Sequence, residues 1–116
     1  LRLIILNGTT KKVCLMSGKI MNYKFKEDEI IKDIIEYVNK TYAQHYSGGK
    51  YQATDMILDA GHGESFCIGN IMKYAMRYGK KNGKSEMDLL KIIHYAIIAL
   101  YEQRKNTGKE STNDGR

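Results

Sequence analysis

Apolar residues recur along this chain with two different rhythms. Leu1 to Leu6 is an apolar run broken only at Arg2, and Lys11 to Met16 makes a second short extended stretch. Between them stands Asn7-Gly8, a strong turn signal because both residues tolerate positive φ. The pattern predicts a β-hairpin over residues 1–16. A lone hairpin is marginal in water, so it must lie on something else. From Glu27 to about His45 the rhythm changes. Ile30, Ile31, Ile34, Ile35, Val38 and Tyr42 recur at helical spacing, and Glu27, Asp28 and Glu29 complement the helix dipole at the first turn. Gly48-Gly49 is the expected stop. A short helix is predicted from about Gln52 to Ala60, a third from about Ser65 to Tyr78, and a fourth from Ser85 to about Arg104. The spacing of Ser85 to Asp88 fits a capping box. Residues 107–116 carry no periodicity and read as a frayed tail. The expected fold is α+β and mainly α: a single domain over 1–106, with a β-hairpin at 1–16 and four helices at 27–106.

The third and fourth helices are apolar nearly all round. One carries Phe66, Cys67, Ile68, Ile71, Met72, Tyr74, Ala75, Met76 and Tyr78. The other carries Leu89, Leu90, Ile92, Ile93, Tyr95, Ala96, Ile97, Ile98, Ala99, Leu100 and Tyr101. Helices of this kind must be covered on most sides, and 116 residues supply too few other elements to cover two of them. The pattern therefore predicts a homo-oligomer with these helices in its interfaces.

Composition narrows the class. The chain has 42% apolar residues, too many for a disordered polymer, and no apolar run reaches the roughly 18 residues that span a bilayer. The opening residues are too few and too lightly flanked for a secretory signal. Two cysteines, Cys14 and Cys67, make neither a disulfide framework nor a zinc site alone. These features point to a soluble protein of a reducing compartment, with no cofactor and no metal. The net charge is +6. Five lysines and no acid lie between Lys11 and Lys26. Four lysines and Arg77, again with no acid, lie between Lys73 and Lys84. Such blocks are most often solvated faces, but here they point to an anionic partner.

One polar stripe concentrates the candidate chemistry. Asn70, Lys73 and Arg77 share one line of the third helix, and Phe66 lies a turn before Asn70. Gly69 sits mid-helix at a cost of roughly 1 kcal/mol relative to Ala. An aromatic face, an amide that can read a base edge and two cations suited to phosphate make a nucleotide-binding set. The commoner explanation is that this stripe is simply the helix's only solvated face. Lys80 and Lys81 extend the cationic line past Gly79. Residues 79–85 imitate a phosphate-binding loop, but they are one residue short of it and follow a helix where a strand is required. Ser85 is expected to cap the amides that open the last helix. His94, on the apolar last helix, reads most simply as a core or interface histidine. Asp55 and Asp59 form an i, i+4 pair that can hold Mg²⁺ or face solvent. Cys67 reads as a small core hydrophobe.

The run Phe66-Cys67-Ile68-Gly69-Asn70-Ile71-Met72-Lys73-Tyr74-Ala75-Met76-Arg77-Tyr78-Gly79-Lys80-Lys81 resembles the F-x-x-G-N-x-x-K-Y-x-x-R-x-G-K-K core of a small SaV-like phage domain. Asp88-Leu89-Leu90-Lys91 and His94-Tyr95 match its continuation, and the likeness covers roughly residues 45–101. Behind an N-terminal hairpin with the turn Asn7-Gly8-Thr9-Thr10-Lys11-Lys12-Val13, it is similar to the first type of Thoeris anti-defence (Tad) sponge. The resemblance implies a non-enzymatic phage protein in the cytoplasm of an infected bacterium. Such proteins form homo-hexamers and bind cyclic ADP-ribose isomers made by TIR immune enzymes, or cyclic oligonucleotides, between protomers and leave them intact. The candidate ligand-binding residues are then Phe66, Asn70, Lys73, Tyr74, Arg77, Lys80, Lys81 and His94. A second group with the same domain implies an alternative, a deoxynucleoside monophosphate kinase without a standard P-loop, with Asp55 and Asp59 beside Lys73 and Arg77. Nucleic acid and membrane are not expected partners.

Overall fold

A computed structural model describes residues 2–6, 8–16, 19–45 and 53–108, with side chains at 21–44 and 53–108. The turn residue Asn7, the Gly48-Gly49 stop and most of the tail lie outside the described residues. The described chain is mainly helical. It divides into two compact units, residues 1–36 and 37–116.

In the first unit, β1 (Arg2–Leu6), β2 (Thr9–Met16) and β3 (Lys19–Met21) lie in the order β1-β2-β3, antiparallel throughout. The register pairs Leu6 with Thr9 and Arg2 with Val13, then Met16 with Lys19 and Cys14 with Met21. Gly8 takes φ +76°, a left-handed conformation that favours glycine. Helix α1 (Glu27–His45) starts where the pattern places it. A carboxylate oxygen of Glu27 accepts the Phe25 backbone N–H at 2.8 Å, tying the helix to the chain that enters it. Of its apolar stripe, Ile34 is buried, whereas Ile30, Ile31 and Ile35 are about half exposed or more.

The second unit is built on an antiparallel helix pair. Helix α3 (Gly63–Arg77) and helix α4 (Glu86–Asn106) are joined by the turn at 78–85. Gly79 opens that turn at φ +82°, and its N–H reaches the Gly83 carbonyl at 2.9 Å. Along the seam the Tyr95 ring lies between two aromatic neighbours. It meets Phe66 edge-on at 5.8 Å and stacks on Tyr74 at 6.1 Å. Cys67 is wholly buried there. At the far end, Asn106 Nδ2 donates to Glu64 Oε1 at 2.9 Å, and the Glu102 side chain crosses directly over Gly63. Helix α2 (Ala53–Asp59) meets the same point through Leu58.

Both α3 and α4 therefore have two apolar faces with different fates. Cys67 and Tyr74 of α3 face the seam, while Ile68, Met72 and Met76 point outward and are more than half exposed. On α4, Tyr95 and Glu102 face the seam, while Leu89, Ile93, Ile97, Leu100 and Tyr101 point outward and are exposed. One helix start and one cap differ from the sequence expectation. Helix α3 begins at Gly63, two residues early, because the absence of a side chain there lets Glu102 lie across it. The capping box at Ser85 does not form. Ser85 holds the N-cap position without a side-chain hydrogen bond, and the Asp88 carboxylate turns to Arg77 instead.

A Cβ on Gly63 would lie 3.0 Å from Glu102 Cγ and 3.2 Å from Leu58 Cγ. Gly63→Val is expected to lose about 1–3 kcal/mol of stability through overpacking, read by chemical denaturation. An unchanged unfolding midpoint would mean that α2 and α4 do not meet at this residue.

Candidate functional site

The site grows from the end of the α3–α4 seam nearest the turn. Tyr74 is packed against Tyr95 and is 8% exposed. Three cations converge on its ring. Lys73 Nζ lies 4.5 Å from the ring centroid, Lys91 Nζ 5.0 Å and Arg77 Cζ 5.5 Å. All three fall within the roughly 6 Å over which a cation is attracted to an aromatic face. One carboxylate answers them. Asp88 Oδ1 lies 3.5 Å from Arg77 Nε. That separation makes an ion pair, but it is too long for a good N–H···O bond. Arg77 Nε and Asp88 Oδ2 are buried without a hydrogen-bond partner. Three cations against one carboxylate leave an excess of positive charge beside a half-buried guanidinium. The geometry suits a multiply charged oxyanion such as a phosphate group.

The sequence-predicted residues separate in space. Lys73, Tyr74 and Arg77 come together. Phe66 and Asn70 lie on the same side of α3, toward its start, and Phe66 is held by Tyr95. Asn70 Nδ2 donates to the Phe66 carbonyl at 2.9 Å, spending one amide hydrogen on its own helix. Lys80 and Lys81 are exposed on the turn, with their N–H groups on the Arg77 carbonyl at 2.9 and 3.2 Å. His94 does not join the set within one chain. It meets the Tyr37 ring of α1 edge-on at 5.8 Å. The stripe is also not the only solvated face of α3, since Asn70 and Arg77 are half-buried while Ile68, Met72 and Met76 are exposed.

Lys91 and Asp88 of this cluster escaped the sequence reading, as did Glu102 at the opposite end of the seam. Lys91 belongs to the quoted motif but not to the predicted site. Its signal is its spacing of one turn from both Asp88 and Tyr95. Glu102 is 3% exposed and its Oε1 has no hydrogen-bond partner. Its only cation among the described residues is Lys105, at 3.9 Å. This carboxylate sits at the start of α3, where the helix dipole favours negative charge. His62 there supplies no side-chain cap. Asp55 and Asp59 lie on α2, and each has a polar or electrostatic partner. Among the described residues no three His, Cys, Asp or Glu side chains gather as a metal site, and no helix is long and apolar enough to cross a membrane.

A family profile for a protein of unknown function (DUF3310) matches residues 22–97. The chain belongs to that family. The match spans α1 through most of α4, and so includes all three cations and Tyr74. Searches of curated proteins and of solved structures gave no match.

Burial lowers the His94 pKa below its usual value, so the folded protein favours the neutral ring. The unfolded chain takes up the proton first as pH falls. Stability is therefore full above about pH 6.5 and declines below it. His94→Phe should flatten that acid limb in denaturation curves measured from pH 8 to 5. An unaltered slope would place the titrating group elsewhere. Desolvation, and then the neighbouring Glu102, push the Cys67 thiol up. Alkylation of Cys67 at neutral pH is expected only as fast as the protein unfolds. Rapid labelling of the native chain would show that the seam is open.

Proposed function

We propose that this domain captures a small phosphate-bearing nucleotide and holds it unchanged. The observation that carries the reading is the convergence of Lys73, Arg77 and Lys91 on Tyr74. Phosphate oxygens would take the cations. Asn70, whose carbonyl oxygen still accepts, would read a base edge, with Phe66 offering an aromatic surface beside it. Lys80 and Lys81, one turn beyond Arg77, would meet a second phosphate. His94, neutral at pH 7, would contribute a hydrogen bond or an aromatic edge from a neighbouring copy rather than a charge.

Two further considerations favour a cyclic dinucleotide-like ligand held by a homo-oligomer. The exposed apolar faces of α3 and α4 are large for a monomeric protein, where such patches usually mark contacts. The quoted α3 motif resembles that of the anti-defence sponges, in which the ligand lies between protomers of a hexamer. On this reading the N-terminal strands form a hairpin arm that a neighbouring copy helps to cover. The protein is a phage sponge for cyclic ADP-ribose isomers, or for cyclic oligonucleotides, in the host cytoplasm. Sequestration works by tight binding and slow release, so no catalytic group is required.

Calorimetry of the full chain against cyclic ADP-ribose isomers, cyclic oligonucleotides and deoxynucleoside monophosphates, with analysis of the recovered ligand, separates the readings. The sponge reading expects stoichiometric capture and chemically intact ligand. Lys73→Ala and Lys91→Ala should each weaken capture about 10–100-fold, the effect of one charge-assisted contact. Phosphate transfer from ATP to a deoxynucleoside monophosphate would replace the sponge with a kinase.

A further inference from the structure

The outward face of α4 carries a pattern with its own symmetry. Ile93 and Ile97 lie at equal distances along the chain from Tyr95, as do Leu89 and Tyr101, and then Glu86 and Arg104. At 3.6 residues per turn these six positions fall symmetrically about the line of α4 directly opposite the Tyr95 side chain. Tyr95 faces α3, so this line is the outermost part of the helix. All six residues are exposed, Leu89 at 42%, Ile97 at 48% and Tyr101 at 59%. Glu86 and Arg104 end the apolar strip, and neither forms an ion pair among the described residues.

We propose that this face binds a second copy of the same chain, with the two α4 helices antiparallel about a two-fold axis opposite Tyr95. That arrangement sets Glu86 of each copy against Arg104 of the other. Leu89 packs beside Tyr101 at both ends, and the Ile93 and Ile97 pairs meet at the axis. The acid is at one end of the strip and the base at the other, so the surface is complementary to itself only in the antiparallel sense. The antiparallel sense also opposes the two helix dipoles. The parallel alternative would place Glu86 beside Glu86 and Arg104 beside Arg104, which repel. The proposal rests on the reading that the chain self-associates, and adds which face and which register.

Sedimentation equilibrium of the full chain and its variants tests it, with circular dichroism melting to show that each variant is folded. Wild type is expected to associate. Glu86→Arg and Arg104→Glu should each weaken association about tenfold or more, because each reversal acts twice across a two-fold axis. The double variant E86R/R104E should restore it. Ile97→Asp should give a folded monomer. A monomeric wild type overturns both this proposal and the oligomer reading. An oligomeric wild type that tolerates all three single changes overturns this proposal alone and moves the contact to another face. Lower melting temperatures with unaltered association would mean that the face is covered from within the chain, which also overturns it. Nucleotide capture by the same variants keeps the sponge reading separate, since Glu86 and Arg104 lie outside the cation cluster.

Discussion

The antiparallel seam between α3 and α4 is the constraint on which the second unit depends. Tyr95 occupies its middle, between the Phe66 edge and the Tyr74 face, with Cys67 sealed beside them. Aromatic pairs of this geometry contribute about 0.5–1.5 kcal/mol beyond the area they bury. Polar groups close both ends. Arg77 and Asp88 meet beside the turn, while Asn106 and Glu64 meet at the opposite end, next to Glu102 on Gly63. These end contacts fix the register, since sliding either helix by one turn would separate both pairs and take Asp88 from its cation. Burial without a cation is expensive for an ionised carboxylate.

That register is also what makes a cation cluster. Lys73 and Arg77 are neighbours on α3 whatever α4 does. Lys91 joins them because the Asp88–Arg77 pair on one side of it and the Tyr95–Tyr74 stack on the other hold this turn of α4 over Tyr74. The seam likewise decides which apolar surfaces remain outside. By turning Cys67, Tyr74 and Tyr95 inward, it leaves Ile68, Met72 and Met76 on one helix, and Leu89, Ile93, Ile97 and Leu100 on the other, facing water.

Much of this was legible from periodicity. The bounds of α1 follow from its isoleucine spacing, and the body of α3 and α4 from apolar runs longer than any strand. The Lys73–Arg77 stripe follows from helical geometry alone. Other features were not readable, for a common physical reason. Spacing shows which residues share a face, but not what that face meets. Ser85 and Asp88 had the spacing of a capping box, yet a long-range ion pair competed for the carboxylate and won. Glu102 carries no signal of its burial in the sequence, because nothing local announces that Gly63 leaves room for it. His94 is adjacent to Tyr95 in sequence, but one residue of helix turns it by about 100° and sends it to Tyr37. The all-round apolar character of α3 and α4 was visible. Its division into a seam face and an open face needed the partner helix.

The central claim is that the space around Tyr74, between Lys73, Arg77 and Lys91, receives phosphate oxygens. Nuclear magnetic resonance of the tyrosine rings and lysine side chains, during titration with a cyclic ADP-ribose isomer, addresses it most directly. The account predicts that Tyr74, Lys73 and Lys91 resonances move together and saturate at the ligand-to-protein ratio found by calorimetry. Saturable binding that leaves these three unmoved while shifting other residues would contradict it.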